Sequence, residues 1–354
     1  MRKSRGPKKN NLLIKVLCVG LMLLIIVGVL AAYSFYYVTL KHYHEISGYI
    51  DDASVVTAVE GTPVDTDSIG LSAQETNEIS AKIVAETDNI EKVDNDKVIN
   101  ILLVGVDRRD DKWNGNSDTM ILVSVNPMKK KIFMISFMRD LYAQIEGRGV
   151  HRLNAAYAYG AGPLLVKTLE ENYKVHIDNY VSVDFNSMID IIDILGGLDI
   201  DITDEEAMSA NAQIMEMCEN RNINPEEYFF TSGGILHCNG CQAVAYARLR
   251  AVGNSDYERT QRQRYVLELI IDKMKSASFL KLDKLAHTIL PMVTHNIDED
   301  TMYRYLNHVI EYMHYEIKQD RIPYNNMFSS SGGILIPVMP DTINRLQNEL
   351  YGNE

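Results

Sequence analysis

VINILLVGV, residues 98–106, is a short run of mostly branched apolar side chains that stops at Gly105, with Asp107 and Arg109 just behind it. Apolar on alternate and adjacent positions alike, it reads as a strand buried on both faces. Two more such runs follow, DTMILVSVN (118–126) and KIFMISFM (131–138), with a Pro-Lys turn between them. Downstream, NAAYAYGAGPLLVKTLEENY (154–173) has helical spacing broken around Gly160 to Pro163. NYVSVDF (179–185) is a strand, NSMIDIIDIL (186–195) a helix, and GGLDIDI (196–202) a turn into another strand. Strands alternating with helices predict an α/β fold, an α-β-α sandwich around a central mixed sheet.

Upstream the character changes. Residues 1–15 carry six basic side chains and no acidic one. Residues 16–38, VLCVGLMLLIIVGVLAAYSFYYV, hold no charge. At about 1.5 Å per residue they span roughly 30 Å as a helix. Tyr33, Tyr36 and Tyr37 sit where an aromatic belt belongs. The expected organisation is a cytoplasmic basic tail (1–15), a single transmembrane anchor (16–38), an acidic extracellular stalk (39–97) and a catalytic domain (98–354). The positive-inside rule keeps the N-terminus in the cytoplasm and the domain outside. The alternative for 16–38 is a cleaved signal peptide, whose apolar core is usually shorter.

The formal net charge of −13 becomes −19 once the basic tail is set aside. So acidic a body repels nucleic acid unless a local patch dominates. One patch exists. YARLRAVGNSDYERTQRQR, residues 246–264, holds Arg248, Arg250, Arg259, Arg262 and Arg264. It reads as a helix end, a loop, and a second helix to about Lys275. Ser255 and Glu258 have the spacing of a capping box. Arg259, Arg262 and Gln263 continue at helical spacing into Val266, Leu269, Ile270 and Met274, so the guanidinium groups are expected at the rim of the core. A desolvated arginine needs an anion, and the helix N-terminus adds donors at the same end. Ion pairs with neighbouring carboxylates are the alternative.

A second group lies at strand ends: Asp107 and Arg109, Asp118, then Arg139 and Asp140. Such ends converge on one crevice. Paired carboxylates there suit Mg²⁺, or Mn²⁺, which take oxygen ligands; the arginines suit the phosphate oxygens a metal would share.

These pieces, in this order, resemble the LytR-CpsA-Psr proteins of Gram-positive bacteria: NILLVGVDRR, SDTMILVSVNP, ISFMRDLY, RLNAAYAYG, VKTLE, YVSVDF, DILGGLDIDI, GCQAVAYARLR and DYERTQRQR. The resemblance implies a membrane-anchored, Mg²⁺-dependent phosphotransferase. It would move an anionic glycopolymer, wall teichoic acid or capsule, from polyprenyl pyrophosphate to peptidoglycan. By motif, Asp107 and Asp118 correspond to the metal aspartates. Asp118, Arg139 and Arg250 are the implied catalytic residues. Arg109, Arg248, Asp256, Arg259, Arg262, Gln263 and Lys167 are the implied pyrophosphate contacts, with Arg152 a less secure one. Asn116 stands where the family commonly has an arginine, a contact that Arg108 would have to supply. The expected partners are the lipid-linked polymer, peptidoglycan and the membrane. A lipid pyrophosphate phosphatase and a non-catalytic polymer-binding surface protein remain open. A transcriptional regulator does not fit arginines placed outside the membrane. Of the four cysteines, Cys218, Cys238 and Cys241 lie in the exported part, where a disulfide using Cys218 is expected ahead of free thiols or a metal site.

Overall fold

A computed structural model describes residues 48–49, 69–108, 113–253, 256–275 and 288–352 apart from 313. All lie in one compact unit, Ser47–Glu354. The first elements in chain order are β1 (Gly48–Tyr49), α1 (Ala73–Thr87), β2 (Ile99–Asp107), β3 (Asn116–Asn126), β4 (Lys131–Phe137), β5 (Tyr142–Ile145), β6 (Gly149–Arg152) and α2 (Ala155–Tyr173). Next come β7 (Asn179–Asp184), α3 (Phe185–Ile194), β8 (Leu198–Ile202), α4 (Asp204–Arg221), β9 (Gly234–Cys238), α5 (Gly240–Ala247) and α6 (Asp256–Lys275). The last are β10 (Thr294–His295), α7 (Glu299–Tyr312), β11 (Glu316–Ile322), β12 (Phe328–Ser331), β13 (Ile334–Pro337) and α8 (Met339–Tyr351).

Among the described residues, a seven-stranded sheet runs in the order β1-β10-β7-β2-β3-β4-β11. It is mixed: β2 pairs parallel with β7 and antiparallel with β3, and β11 pairs parallel with β4. The opening run is its centre. Burial alternates along β2, so Leu102, Val104 and Val106 enter a core shared with α1, α2 and α8, while Ile99 and Leu103 pack with Leu267 and Ile271 of α6 on the other face. Helices therefore cover both faces, as expected. β8 and β9 form a separate ribbon, so GGLDIDI is a strand but lies outside the central sheet. The break expected in α2 is present, with non-helical backbone at Gly160 and Ala161.

The acidic stalk is corrected in its second half. Ser72 and Glu75 cap α1 reciprocally, and Ile83 is buried in the main core with Ile79 against it. Amphipathic spacing thus outweighs the charge-driven extension that the composition suggests, and the domain starts before residue 98. The basic tail at 1–15 and the apolar span at 16–38 lie outside the described residues. Among the described residues no helix is long and apolar enough to cross a membrane.

Candidate functional site: an arginine cleft joined to an apolar slot

The site is built at the ends of β2, β3 and β4. The β2–β3 register skips one residue: Val106 pairs with Ser117 and Gly105 with Thr119. Asp118 is therefore the extra residue of a β-bulge, a device that re-aims a side chain at the edge of a site. Asp118 and Thr119 are both half-buried in succession, where strict alternation would bury one of them. Thr119 is drawn so close that a Cβ on Gly105 would lie 2.9 Å from its Cβ. Only a residue without a side chain fits there.

Asp118 is the hub. Its Oδ1 accepts from Arg139 Nη1 at 3.3 Å and its Oδ2 from Arg250 Nη2 at 3.2 Å, with Arg259 Nη1 4.0 Å away. Asp256, in the first turn of α6, lies 3.1 Å from Arg259 Nη2 and 3.5 Å from Arg250 Nε. Asp140 backs the cluster, 3.5 Å from Arg139 Nε and 3.7 Å from Arg152 Nε. The Arg259 side chain is only 3% exposed. Burial pulls its guanidinium down to about 10, against the pull of Asp118 and with the neighbouring Arg250 adding to the drop. Arg139 goes the other way. Burial opposes its charge, but Asp118, Asp140 and Asp256 outweigh it and hold it above the usual range. Burial raises the Asp140 carboxyl in spite of Arg139. The cluster is not closed on itself, because the Nε atoms of Arg139 and Arg259 are buried with no hydrogen-bond partner.

Asp107, Asn116, Asp118, Arg139, Arg248, Arg250, Arg259 and Gln263 all line one polar cleft of about 460 Å³. Beside it runs an apolar slot of about 220 Å³ between the sheet and helices α3 and α6, lined by Leu103, Ile121, Val181, Ile191, Val266 and Ile270 among others. Phe185, Arg248 and Gln263 line both cavities. They mark the junction, where the Arg248 guanidinium stacks over the Phe185 ring at 4.5 Å. This is the arrangement an amphiphile with an anionic head requires.

Four guanidinium groups and three carboxylates, Asp107, Asp118 and Glu216, line the cleft, leaving one net positive charge. A diphosphate brings about two or more negative charges, so a divalent cation would improve the balance. The donors suit one. Asp107 and Asn116 face each other across the ladder, and Asn116 Oδ1 is buried without a partner. Two carboxylates and an amide oxygen are hard ligands of the kind Mg²⁺ takes in part, with phosphate and water completing its shell. Among the described residues no group of three or more His, Cys, Asp or Glu is arranged to hold a metal.

Two expected contacts lie elsewhere. Arg262 sits on the other flank of α6. It donates to Glu206 Oε1 at 2.9 Å, Glu258 Oε2 at 3.0 Å and the Leu249 and Val252 carbonyls. It ties α4 to α6 and does not line the cleft. Lys167 is on the outer face of α2, paired with Glu146 at 2.5 Å and with Glu171. Arg108, the suggested substitute at position 116, pairs with Asp184 at 3.2 Å. Arg264 is also buried, donating to Ser136 Oγ and Gln319. Arg109 and Ser255 lie outside the described residues. Sequence reasoning missed the wall that α4 contributes to the cleft, Ser209, Ala212, Gln213 and Glu216; their regular spacing was the available signal. The disulfide expectation is corrected as well. Cys218, Cys238 and Cys241 are buried free thiols, and the Cys218 and Cys241 sulfurs stand 3.8 Å apart, beyond a bond of about 2 Å.

The family model described as LytR_cpsA_psr family matches residues 67–351. The chain is 33% identical over 207 residues to polyisoprenyl-teichoic acid–peptidoglycan teichoic acid transferase TagV of Bacillus subtilis, covering 57% of this chain and 50% of that protein. It is 30% identical over 267 residues to the TagU transferase of the same description from Enterococcus faecalis, covering 73% of this chain and 80% of that one. The B. subtilis relative is thus matched over only half its length. The crystal structure of B. subtilis TagV superposes with a TM-score of 0.58 at 27% identity, over 74% of this chain and 100% of that one. A family match over most of the chain, with a matching fold, leaves one assignment: this chain belongs to the LytR_cpsA_psr family.

Proposed function

We propose that the protein transfers an anionic glycopolymer, of the wall teichoic acid or capsule type, from polyprenyl pyrophosphate to peptidoglycan. The observation that carries this reading is the junction at Phe185, Arg248 and Gln263, where an apolar slot opens into an arginine-lined cleft. The transferase activity for which the TagV and TagU relatives are named supports it. So does the expectation that residues 16–38 anchor the domain at the outer face of the membrane, next to a lipid carrier.

In this reading the prenyl tail lies between the sheet and helices α3 and α6. Arg248 and Gln263 meet the head group where it emerges. Arg139, Arg250 and Arg259 neutralise charge as it builds on the departing polyprenyl phosphate, the kind of preorganised stabilisation that dominates phosphoryl transfer. A peptidoglycan hydroxyl attacks the sugar-side phosphorus, the phosphorus–oxygen bond to the carrier phosphate breaks, and the proton leaves to a cleft carboxylate. Asp118 is clamped by arginines and serves as their organiser. Asp107, Asn116 and Asp118 would hold a Mg²⁺ or Mn²⁺ ion, which when bound supplies charge neutralisation at the phosphates.

Incubating the full chain with a lipid-linked polymer and peptidoglycan tests the proposal. Polymer should appear on peptidoglycan with one equivalent of polyprenyl phosphate. Polyprenyl phosphate released at the same rate without peptidoglycan would favour the phosphatase reading. Binding with no product would favour a surface gripper. Protease treatment of intact cells tests the anchor: residues 98–354 should be digested, and protection would overturn the topology.

A further inference from the structure

Helix α6 separates two kinds of cavity. Gln263, Val266 and Ile270 face the arginine cleft or the apolar slot. Glu258, Gln261, Arg262, Tyr265 and Glu268 recur at helical spacing and share the other flank, where they line a second polar cleft of about 440 Å³. Glu206 of α4, Tyr246 of α5 and Gln319 of β11 complete its walls. The two polar clefts have no lining residue in common. Here the charge is reversed: Glu206, Glu258 and Glu268 against Arg262 leave two net negative charges. Arg264 donates to Gln319 from behind and does not line the cleft. Glu206 is fully used, by Arg262 at Oε1 and by Thr203 at Oε2. Glu258 gives only its Oε2 to Arg262, and Glu268 only its Oε2 to Gln319. Each keeps an oxygen that accepts nothing among the described residues.

A buried hydroxyl points to the same cleft. Tyr246 is only 6% exposed, yet its oxygen is not among the sealed-off polar atoms of the interior, so it opens on the cleft it lines. Among the described residues it has no hydrogen-bond partner. Burial, reinforced by the Glu206 charge, pushes this phenol up to about 12. It is neutral at physiological pH, with lone pairs free to accept. Its ring packs edge to face with Tyr265 at 6.3 Å. Glu258 and Glu268 are ten residues apart, or about 15 Å along the helix at roughly 1.5 Å per residue. Among the described residues the carboxylates do not converge as metal ligands would. Acids at two ends with aromatic rings between them fit a long, thin molecule that is positive at both ends. We propose that this cleft binds a linear aliphatic polyamine, with one terminal ammonium at Glu258, the other at Glu268, and the methylene stem across Tyr246 and Tyr265. Ammonium groups donate charge-assisted hydrogen bonds to carboxylates and are attracted to tyrosine faces. The inference stands apart from the transfer reaction, because it uses no residue of the arginine cleft.

The test is calorimetric titration of the full chain, in nonionic detergent micelles at physiological salt, with spermidine and with n-butylamine, which has one charged end. Spermidine should bind saturably, one per chain, and about tenfold or more tighter than n-butylamine, the scale for one further charge-assisted contact. Glu268→Gln should weaken spermidine by about tenfold or more and bring it close to n-butylamine. Tyr246→Phe, which removes only the buried hydroxyl, should weaken both amines by about threefold or more. Asp107→Asn, in the arginine cleft, should leave spermidine affinity within about twofold, since its carboxylate is not part of this site. Absence of saturable binding overturns the site, as does a parental affinity in both Glu268→Gln and Tyr246→Phe. Equal affinity of the parental protein for the two amines overturns the two-ended arrangement. Loss of binding in Asp107→Asn with none in Glu268→Gln would place the amine in the other cleft and overturn the assignment.

Discussion

Arg259 distinguishes an anion site from a set of mutual ion pairs. Its guanidinium is nearly fully buried between Asp118 and Asp256, yet burial still lowers it to about 10. The sign follows from linkage. A base whose folded value is depressed contributes stability only above its unfolded value, and that contribution is lost as pH falls through the folded one. At neutral pH the charge therefore opposes folding. Holding a charge that burial has weakened this far costs on the order of 3 kcal/mol, at about 1.4 kcal/mol for each tenfold change in proton affinity. Arg259→Met keeps the apolar stem and removes the charge. Without ligand it should leave the domain as stable as the parent, or more stable by up to about 3 kcal/mol. Urea denaturation monitored by far-ultraviolet circular dichroism measures this directly. With polyprenyl diphosphate at a hundredfold excess over Kd, the parent should gain about 2.7 kcal/mol, and Arg259→Met should gain almost nothing. A ligand-free loss of about 3 kcal/mol or more, the usual cost of breaking a buried pair, would refute the reasoning. Arg259 would then be a structural partner of two aspartates.

Other positions give contrasting outcomes. Arg262→Ala should destabilise the fold by about 3–5 kcal/mol, chiefly by orphaning Glu206, whose side chain is 13% exposed, rather than Glu258, which is 40% exposed, and a thermal melt checks it. Glu206 is held below the usual carboxylate range by the Thr203 backbone and Arg262, although its burial opposes this. Its contribution is present above the unfolded value near 4.5 and lost as pH falls through the folded one, so the deficit of Arg262→Ala should shrink in acid. Asp118→Asn should slow transfer about 10²–10³-fold, the scale for losing one preorganised electrostatic contact, with little change in lipid affinity; a parental rate would contradict its role as hub. Ile270→Trp, which fills the slot, should weaken binding of undecaprenyl diphosphate while leaving inorganic pyrophosphate binding intact. Burial pushes the Cys238 thiol up to about 11 and the Cys241 thiol up to about 12, so both should resist iodoacetamide at pH 8 until the protein is unfolded. Mass spectrometry that finds a Cys218–Cys241 disulfide in the native protein would contradict the free-thiol arrangement.

How much of this was legible in advance depends on the kind of signal. Strong periodicity carried the central strands and α6, because a buried strand or an amphipathic helix writes its contacts into residue spacing. The cleft followed from strand ends carrying Asp107, Asp118 and Arg139. What spacing could not convey was the division of α6 into two flanks. Arg262 and Gln263 are adjacent and about 100° apart on the helix. One turns to Glu206 and the other to the cleft, and only the positions of α4 and the sheet decide which. The bulge at Asp118 is a mismatch between two strands, so neither strand reveals it alone. The acidic surface of α1 left only short helical pieces near Glu75–Glu91 legible, although Ser72, Glu75, Ile79 and Ile83 together spell a capped amphipathic helix. Lys167 came from motif order alone, and its helix faces away from the cleft.

The most direct measurement is a crystal structure of the protein grown with undecaprenyl diphosphate. The account predicts the prenyl chain between the sheet and helices α3 and α6, in contact with Ile121, Val266 and Ile270, and both phosphates within hydrogen-bonding reach of Arg248, Arg250 and Arg259. A lipid bound on another face, with those arginines still engaged only by Asp118, Asp256 and Glu216, would contradict it.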